Sequence, residues 1–401
     1  MSYDLMVFCP DSPDLQSVLL LIGNTRGLHA DSANQSHGSV LVSRGAKHEY
    51  SFTVAGPFRT TRADIAEQVL DTSPDVDTLF LVHVEGSDES EIPHGIRFAR
   101  KLAKACHGVV LDEQTSELWP TPRARPSSEP EVYPRADAVE LAWYCLADEI
   151  PADLPGRYLR LAQAFLPEAI PIRFGTYHPP QGDFSRDGEE GFARAWQQSV
   201  GTSFGLDTRY PVTWVSLDSV NQLRPGDVRA MRMTVAREAL EEIRFRSTLK
   251  DFFIGFAREI GAFHATAEVV RNYMRYGDKL LGDNSAELFR SLVFVFRSSE
   301  LRNEWVGLKP YPVWWSWYGR LYEESVRPYL IGQVEQYPDG VFHALCETPH
   351  NRDALAELLP DPGQPMFPAE YCAVYDGGEL RPLSLASKVP PRLREVTFRP
   401  H

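Results

Sequence analysis

The stretch 249-LKDFFIGFAREIGAFHATAEVV-270 carries the strongest local pattern in this sequence. Its first half predicts a helix, because its apolar residues fall on one helical face. These residues are Leu249, Phe252, Phe253, Phe256, Ala257 and Ile260. Ser247 or Thr248 can cap the start of the helix, and Gly261 can end it. From Phe263 to Val269 apolar and polar residues alternate, which predicts a half-buried strand directly after the helix.

This helix and strand complete an order of elements, strand–helix–strand–strand–helix–strand, that can be read in both halves of the chain. In the second half they follow strands at 139–146, 212–217 and 228–235 and a helix at 154–165. The first half has strands at 5–8, 39–42, 50–54 and 109–111, helices at 14–21 and 92–106, and an inserted helix and strand at 61–84. The order predicts a split βαβ, ferredoxin-like arrangement, in which helices cover one face of an antiparallel sheet.

A proline-rich polar segment separates the two halves. Residues 121–130 read TPRARPSSEP and offer almost nothing to bury, which is typical of a linker. We therefore predict an α+β chain of two linked domains, with a first domain at 1–120, a linker at 121–135 and a larger second domain at 136–401. After Gln333 turn signals become frequent, so we expect a loop-rich tail that packs on the second domain.

The overall charge narrows the class of partner. The 401 residues carry a net charge of −14, and the pI is near 5.3. Binding to nucleic acid or to anionic lipid needs a basic surface, so both partners are disfavoured. The apolar run from Val18 to Ile22 is too short to span a bilayer. A basic protein is the partner that this charge favours, although many cytoplasmic proteins are acidic without one.

The cysteines and the N-terminal residues favour a cytoplasmic protein. The five cysteines are an odd, scattered set, which is a poor disulfide framework, and no two have the C-x-x-C spacing of a zinc site. Residues 1–8 lack the basic and then apolar pattern of a signal peptide. We therefore expect a reducing, cytoplasmic compartment.

No common catalytic motif is present. The sequence lacks the P-loop G-x-x-x-x-G-K-[ST], the dinucleotide-binding G-x-G-x-x-G, the zinc-binding H-E-x-x-H and the nucleophile elbow G-x-S-x-G. We therefore predict no catalytic residue, no metal site and no cofactor. An enzyme whose active-site residues are scattered along the sequence is still compatible with these absences.

Four short polar clusters could carry chemistry, but each has a simpler structural explanation. They are His29 with Asp31 and His37, Cys346 with His350, Asp112 with Glu113, and Arg173 with Tyr177 and His178. Imidazole and carboxylate groups ligate zinc, a histidine can activate a thiol, and carboxylates at a strand end can transfer protons. Solvated loops, a structural cysteine and a hairpin turn explain the same residues, and we favour these interpretations.

One acidic run is unusual enough to suggest a binding surface. Between residues 71 and 91 the sequence has seven acids and no lysine or arginine. The acids are Asp71, Asp75, Asp77, Glu85, Asp88, Glu89 and Glu91. Most of them would lie in loops on either side of a strand at 78–84. The run predicts either a solvated rim or an acidic patch that attracts a basic partner, with Asp88, Glu89 and Glu91 as contact residues.

A tryptophan-rich segment is the second unusual feature. Residues 305–319 read WVGLKPYPVWWSWYG and contain four of the eight tryptophans. The segment predicts the start of a helix at Trp314, and one helical face cannot hide the adjacent tryptophans together. Core packing is the commoner fate of such residues, but exposed aromatic residues are typical contact points of interfaces. The candidate partner-binding residues of this segment are Trp305, Tyr311, Trp314, Trp315 and Trp317.

The helix and strand from Asp251 to Val270, followed by a proline and a tryptophan-rich turn into a helix from Pro312 to Tyr322, resemble bacterial immunity proteins. These proteins neutralise toxins of the polymorphic and type VI secretion classes. The resemblance covers mainly residues 138–330. It implies a non-enzymatic cytoplasmic protein that binds a cognate toxin, often a basic protein, with acidic residues for steering and tryptophans as anchors.

The sequence leaves three hypotheses about function. The first, which we favour, is a binding protein of the immunity class. The second is an enzyme with a dispersed active site between the domains, in nucleic-acid processing or phage defence, which requires a polar cleft with perturbed titratable groups. The third is a scaffold subunit of a larger assembly, which requires an extended or symmetric apolar patch.

Overall fold

The computed structural model divides the chain into two compact units, Met1–Glu131 and Val132–His401. The structure describes residues 3–11, 13–30, 38–45, 47–85, 89–121, 133–177, 179–199, 203–217, 227–282, 286–287, 305–361, 366–373 and 386–393. Most of the predicted linker at 121–135 lies outside these residues. Both units are mixed α+β, as the order of elements predicts.

Unit 1 is built on an antiparallel sheet that has seven strands in its described residues. Its strands are β1 (Tyr3–Cys9), β2 (Leu28–Ala30), β3 (Ser39–Arg44), β4 (Glu49–Arg59), β5 (Thr78–Val84), β6 (Val109–Asp112) and β7 (Leu118–Trp119). Its helices are α1 (Leu15–Gly23), α2 (Glu67–Thr72) and α3 (Ile92–Ala105). The strands lie in the order β2-β3-β4-β5-β1-β6-β7.

The middle of this sheet has the predicted ferredoxin-like order. β1 lies between β5 and β6, β4 flanks β5, and all of these pairs are antiparallel. Helices α1 and α3 cover one face, where Val18, Ile22, Phe98 and Leu102 pack on the strands. These elements therefore form the split βαβ arrangement expected from the sequence.

The additional elements of unit 1 are not the ones predicted. We expected an inserted helix and strand at 61–84, but β5 pairs with β1 along its whole length, beginning with Tyr3 opposite Val84. Phe80 and Val82 of β5 are fully buried, as expected for a strand at the centre of a sheet. The added strands are instead β2 and β3, which extend the sheet beyond β4, and β7 at the other edge.

Unit 1 also contains a disulfide bond, which the cysteine pattern does not predict. Cys9 at the end of β1 is bonded to Cys106 directly after α3, at a sequence separation of 97 residues. The expectation of a poor disulfide framework is wrong for this pair, because the fold brings together two elements that are distant in sequence. Cys145, Cys346 and Cys372 take no part in a disulfide bond.

Unit 2 is built on a second antiparallel sheet, with 11 strands in the part of the chain that is described. Its strands are β8 (Arg135–Leu146), β9 (Arg173–Gly175), β10 (Gly182–Asp183), β11 (Gly205–Asp207), β12 (Val212–Ser216), β13 (Val228–Ala236), β14 (His264–Tyr276), β15 (Lys279–Leu281), β16 (Trp315–Gly319), β17 (Gln333–Tyr337) and β18 (Gly340–Ala344). Its helices are α4 (Leu154–Phe165), α5 (Phe184–Gln198), α6 (Ile243–Glu259), α7 (Glu323–Val326) and α8 (Arg352–Ala356).

The centre of this sheet repeats the order found in unit 1. β8 lies between β13 and β14, and β12 flanks β13, with all pairs antiparallel. The strands β11, β9 and β10 extend the sheet on the β12 side, and β16, β18 and β17 extend it on the β14 side. Unit 2 is therefore a ferredoxin-like core that has been widened at both edges.

The two faces of the second sheet are covered in different ways. Helices α4 and α6 pack on one face, where Phe252, Phe253 and Phe256 of α6 surround the ring of Trp143 from β8. The other face is covered by chain that follows β15. The buried residues of this cover include Trp305, Leu308, Tyr322, Val326, Phe367, Cys372, Val389 and Leu393.

The tryptophan-rich segment forms a strand where the sequence predicts the start of a helix. Trp315 and Trp317 of β16 face the helix-covered side, and Tyr318 faces the other side. This two-residue alternation is the period of a strand, and β16 pairs with both β14 and β18. The spacing of Trp314 and Tyr318 also fits a helix, which explains the wrong prediction.

Two further predictions for unit 2 need correction. α6 begins at Ile243 rather than near Ser247, because Phe245 extends the buried stripe by one turn. The expected loop-rich tail after Gln333 begins with the β17–β18 hairpin, since Val341 and Phe342 are fully buried in the sheet. In the described residues, no helix combines the length and the apolar character needed to cross a membrane.

The disulfide predicts a redox-dependent stability for unit 1. Closing a loop of this size restricts the unfolded chain, so loss of the bond should lower the free energy of unfolding by about 2–5 kcal/mol. Thermal unfolding with and without dithiothreitol measures this loss. A Cys9→Ala/Cys106→Ala variant should respond to dithiothreitol no further, and an equal response of both proteins would contradict the assignment.

Candidate functional site

The unit 1 sheet gathers carboxylates at one end. In the antiparallel register β1 begins where β5 and β6 end, so Asp4, Glu85 and Asp112 lie at the same end of the sheet. Glu113 and Glu117 follow in the turn between β6 and β7. We call the set Asp4, Glu85, Asp112, Glu113 and Glu117 the acidic end. It joins one member of the predicted acidic run, Glu85, to the Asp112–Glu113 cluster.

Hydrogen bonds fix the first of these carboxylates. Asp4 lies opposite His83 in the β1–β5 pair, and its carboxylate is bonded to Nδ1 of that histidine. This bond, with desolvation opposing it, raises the pKa of His83. The backbone N–H of Asp4 donates to the side-chain oxygen of Gln114 at 3.0 Å. The β1 strand is thereby tied to the turn that carries the other acids.

A tyrosine and the β6–β7 turn fix Asp112. The Tyr3 hydroxyl donates to Oδ2 of Asp112, and the backbone N–H of Gln114 donates to Oδ1 at 3.0 Å. Desolvation, this hydrogen bond and the negative charges of Asp112 and Glu117 raise the pKa of Tyr3 to about 12, although Arg100 opposes the shift. Tyr3 therefore stays protonated and acts as a donor at neutral pH.

The pKa of Glu113 is affected by its burial and by its charged neighbours. Desolvation raises the pKa of its carboxyl group, and the nearby carboxylates of Asp4 and Asp112 raise it further. Burial is the larger cause of this shift, and repulsion from the two like charges is the smaller one. A lysine or arginine placed among these groups would relieve that repulsion.

The three acids predicted as partner contacts have different positions. Asp88 lies outside the described residues, and Glu89 lies in the 3₁₀ turn before α3. Glu91 is buried, and its carboxylate accepts hydrogen bonds from Arg44 and Ser51. The hydrogen bond from Arg44 lowers the pKa of Glu91 to about 2. Glu91 is therefore an internal ion-pair residue here, and its predicted role as a contact residue has not been tested.

The aromatic residues predicted as partner contacts lie mostly inside unit 2. Trp305, Trp314, Trp315 and Trp317 are all at most 5% exposed, which contradicts the idea of exposed anchors. Their indole N–H groups include donors to the Tyr322 hydroxyl, the Cys346 carbonyl and the Ala262 carbonyl. In this fold these tryptophans pack the core, and their role in partner binding remains an untested prediction.

Tyr311 has a different environment from the tryptophans. It is partly buried, and its ring lies near the cationic groups of Lys309 and Arg352, at 5.8 and 5.5 Å. Both cations also bind carboxylates, Glu268 and Glu287 respectively. Tyr311 thus belongs to an internal polar cluster, and its predicted partner contact has not been tested either.

The remaining predicted clusters do not form reactive sites in the described residues. The Cys346 thiol donates to the Thr348 carbonyl at 3.1 Å, and burial raises its pKa, whereas His350 bonds to the Thr348 hydroxyl. The ring of His29 lies against that of His48 at a tilt of 41°. Asp31 and His37 lie outside the described residues, and so does His178 of the cluster with Arg173 and Tyr177. No group of three histidine, cysteine or carboxylate side chains is placed to hold a metal ion in the described parts of the chain.

Sequence reasoning missed a buried polar cluster on the face of unit 2 opposite α4 and α6. Glu140 of β8 and Glu268 of β14 lie directly opposite each other and are at most 9% exposed. Glu140 accepts hydrogen bonds from the hydroxyls of Thr234 at 2.8 Å and Tyr273 at 2.6 Å. Glu268 is bonded to Lys309. The sequence shows only that β8 and β14 contain polar positions. That Glu140 and Glu268 lie opposite each other depends on the register of the two strands.

A buried histidine lies on the same face. His264 is 3% exposed and stacks between the rings of Tyr144 and Tyr318, with Trp305 at its edge. Its Nδ1 bonds to the Trp317 carbonyl at 2.9 Å. Burial lowers the pKa of His264 to about 3, so the imidazole is neutral and donates to that carbonyl. The residue therefore links β14 to β16 through this hydrogen bond and through its stacked rings.

A depression of about 560 Å³ lies between α4, α6 and the tip of the β17–β18 hairpin. Leu161 and Ile254 contribute apolar surface to it. Its charged rim is neutralised internally, since Arg157 pairs with Glu259 at 2.9 Å and Arg258 with Asp339 at 2.9 Å. These pairs leave the rim without a clear preference for a charged ligand.

The buried carboxylate pair predicts a strong effect of losing Lys309. A Lys309→Met substitution would leave Glu268 buried without its cation, which should lower the free energy of unfolding by about 3–5 kcal/mol. Urea unfolding measures the loss. The double variant Lys309→Met/Glu268→Gln removes both charges and should recover much of it. Equal stability of the single variant and the wild type would contradict this account.

His264 predicts a dependence of stability on pH. The folded-state pKa is about 3 and the unfolded value about 6.5, so between these values only the unfolded chain binds the proton. Stability therefore falls as the pH falls through this window, by about 1.4 kcal/mol per pH unit from this group. His264→Phe keeps the stacked ring without the titration. Urea unfolding at pH 7 and at pH 4.5 measures how much unfolding free energy each protein loses between the two values. The loss should be smaller by about 2–3 kcal/mol in the variant than in the wild type. Identical losses would contradict the assigned role of His264.

Comparison with known proteins adds little to this description. No protein-family model and no curated protein matches the chain. Among solved structures, the Pseudomonas aeruginosa T6SS protein PA0821 is similar, with 14% sequence identity and a TM-score of 0.39. The match covers 67% of this chain and 86% of that protein. An overlap at this level establishes neither a shared fold nor a shared function.

Proposed function

We propose that this protein is a non-enzymatic binding protein that recognises a basic partner protein through the acidic end of unit 1. The observation that carries the proposal is that the unit 1 sheet gathers the carboxylates of Asp4, Glu85, Asp112, Glu113 and Glu117 at one end. A surface that holds negative groups against their mutual repulsion gains free energy when a cation binds there.

The cations of unit 1 supply only part of this compensation. Arg44, at the same end of the sheet, is bound to Glu91. Arg100 acts on Tyr3, and His83 is bound to Asp4. The run from 71 to 91 has no lysine or arginine of its own. A partner that brings lysine or arginine side chains would therefore complete the charge balance of this surface.

We propose further that the partner is a cognate toxin and that the protein acts as an immunity protein. The helix and strand of residues 251–270, which resemble that class, support this assignment. The net charge of −14 also supports it, because an acidic protein associates faster with a basic effector. Inhibition would then follow from covering the toxin's basic surface.

Neutralising the acidic end should slow association. The triple variant Glu85→Gln/Glu113→Gln/Glu117→Gln should reduce the association rate with the partner roughly tenfold at low salt, with a smaller difference at high salt. The partner to purify is the product of the neighbouring gene, and surface plasmon resonance at two salt concentrations measures the rate. Growth of cells that express the toxin reports neutralisation.

A charge-matched variant controls for net charge. Asp278→Asn/Glu357→Gln/Asp361→Asn removes three exposed acids from unit 2 and should leave the association rate within about twofold of the wild-type rate, because these acids do not belong to the acidic end. Equal slowing by both variants would show that only net charge matters. If no neighbouring gene product binds the wild-type protein, the immunity assignment fails.

A further inference from the structure

Within the described residues five strands pair with a single neighbouring strand, and they differ in length. β2 and β15 have three residues each, β7 and β10 have two each, and β17 has five. A short edge offers too few backbone groups to pair with another chain, whereas a longer one can accept an added strand. β17 is therefore the edge best suited to pairing.

The register of the β17–β18 hairpin shows which backbone groups of β17 point outward. Tyr337 lies opposite Gly340 across a two-residue turn, and Glu335 lies opposite Phe342. Residues that flank such a turn exchange hydrogen bonds, and alternate residues then direct their N–H and C=O groups away from the partner strand. Val334 and Gln336 thus present two donors and two acceptors at the outer edge.

Side-chain contacts hold this edge in place on both faces of the sheet. On one face Glu335 pairs with Lys250 of α6, and Arg258 lies over the Tyr337 ring at 5.3 Å. On the other face the side chain of Gln336 accepts a hydrogen bond from Arg327 at 2.6 Å. An edge fixed in this way loses little conformational entropy when a strand is added.

The side chains of β17 define what an added strand should carry. Val334 is 46% exposed, an apolar surface on the face opposite α6. Glu335 has a 40% exposed side chain on the α6 face. In the antiparallel register that uses both outward residues, the residue opposite Glu335 should be lysine or arginine, and the residue opposite Val334 should be β-branched.

The same register disfavours a second copy of this chain. Two β17 strands that pair antiparallel through Val334 and Gln336 would place Glu335 directly opposite Glu335 of the other copy. Like charges at directly opposed positions are destabilising. A different, basic segment is therefore the better occupant.

We propose that β17 is a strand-addition site for an extended segment of a partner protein, with lysine or arginine opposite Glu335 and a β-branched residue opposite Val334. This inference rests on the proposed function, because it names a second surface for a protein partner. The main-chain bonds would supply affinity and the two side-chain positions selectivity.

A defined peptide tests this site without any toxin. The probe is a fluorescein-labelled peptide, Thr-Thr-Lys-Val-Thr-Lys, titrated against the full chain by fluorescence anisotropy. We expect saturable binding with a Kd below about 1 mM. Hydrogen exchange should slow at the amides of Val334 and Gln336 when the peptide is bound. Replacing the first Lys of the peptide by Glu should weaken binding by about tenfold.

Proline variants separate edge pairing from other modes of binding. Val334→Pro removes an outward N–H that the β17–β18 ladder does not use, and should weaken binding by about tenfold. Val334→Thr keeps the N–H and the branched shape and should bind as the wild type does. If Val334→Pro disturbs the hairpin, two other measurements test the proposal. They are the binding of the Gln336→Pro variant, which lacks the other outward N–H, and hydrogen exchange on the wild-type protein.

Three outcomes would overturn the proposal. They are absence of saturable peptide binding, equal binding by the proline variants, and a concentration-dependent dimer in light scattering that protects the same amides. The third would assign the edge to a second copy. Because the peptide assay does not involve the acidic end, its failure leaves the proposed function of unit 1 standing, and a failure of the acidic-end variants leaves this site standing.

Discussion

The pairing of one long strand on both of its edges is the constraint on which each unit depends. In unit 1 β1 is held between β5 and β6, and in unit 2 β8 is held between β13 and β14. Both neighbours come from distant parts of the sequence. Every side chain on these strands therefore acquires its neighbours through register, and a slip of one residue would turn each of them to the opposite face.

The same constraint gives opposite chemical results in the two units. In unit 1 the register ends near Asp4 and Asp112, at the rim of the sheet, where both residues are only partly buried. In unit 2 it places Glu140 against Glu268 in the middle of a covered face, where protein groups must satisfy both. Lys309 and two hydroxyls do so. Acids at a rim can serve recognition, whereas acids in a core serve mainly the fold.

The sequence predicts what depends on local periodicity. The α6 stripe, with apolar residues at helical spacing, and the alternation after Phe263 indicate their elements directly, and the order of elements predicts both ferredoxin-like cores. Trp314 to Tyr318 satisfies a helical and a two-residue period together, so only the pairing of β16 with β14 and β18 decides between them. The position of β5 at the centre of unit 1 also depends on pairing. The sequence of a buried apolar strand is the same whether the strand lies at the centre of a sheet or in an insertion.

The candidate site could be predicted only in its parts. Glu85 and the Asp112–Glu113 pair stand out in the sequence, but nothing local shows that Asp4 and His83 lie opposite each other or that the β6–β7 turn returns to β1. The tryptophans misled for a related reason. Composition alone does not distinguish an aromatic residue that anchors a partner from one that fills the space between a sheet and its cover. The carboxylates are the more informative residues, because burial forces a charge to find a partner inside the protein. Acids at the rim of a sheet, such as those of the acidic end, carry no such requirement, and they are where an external partner has most to contribute.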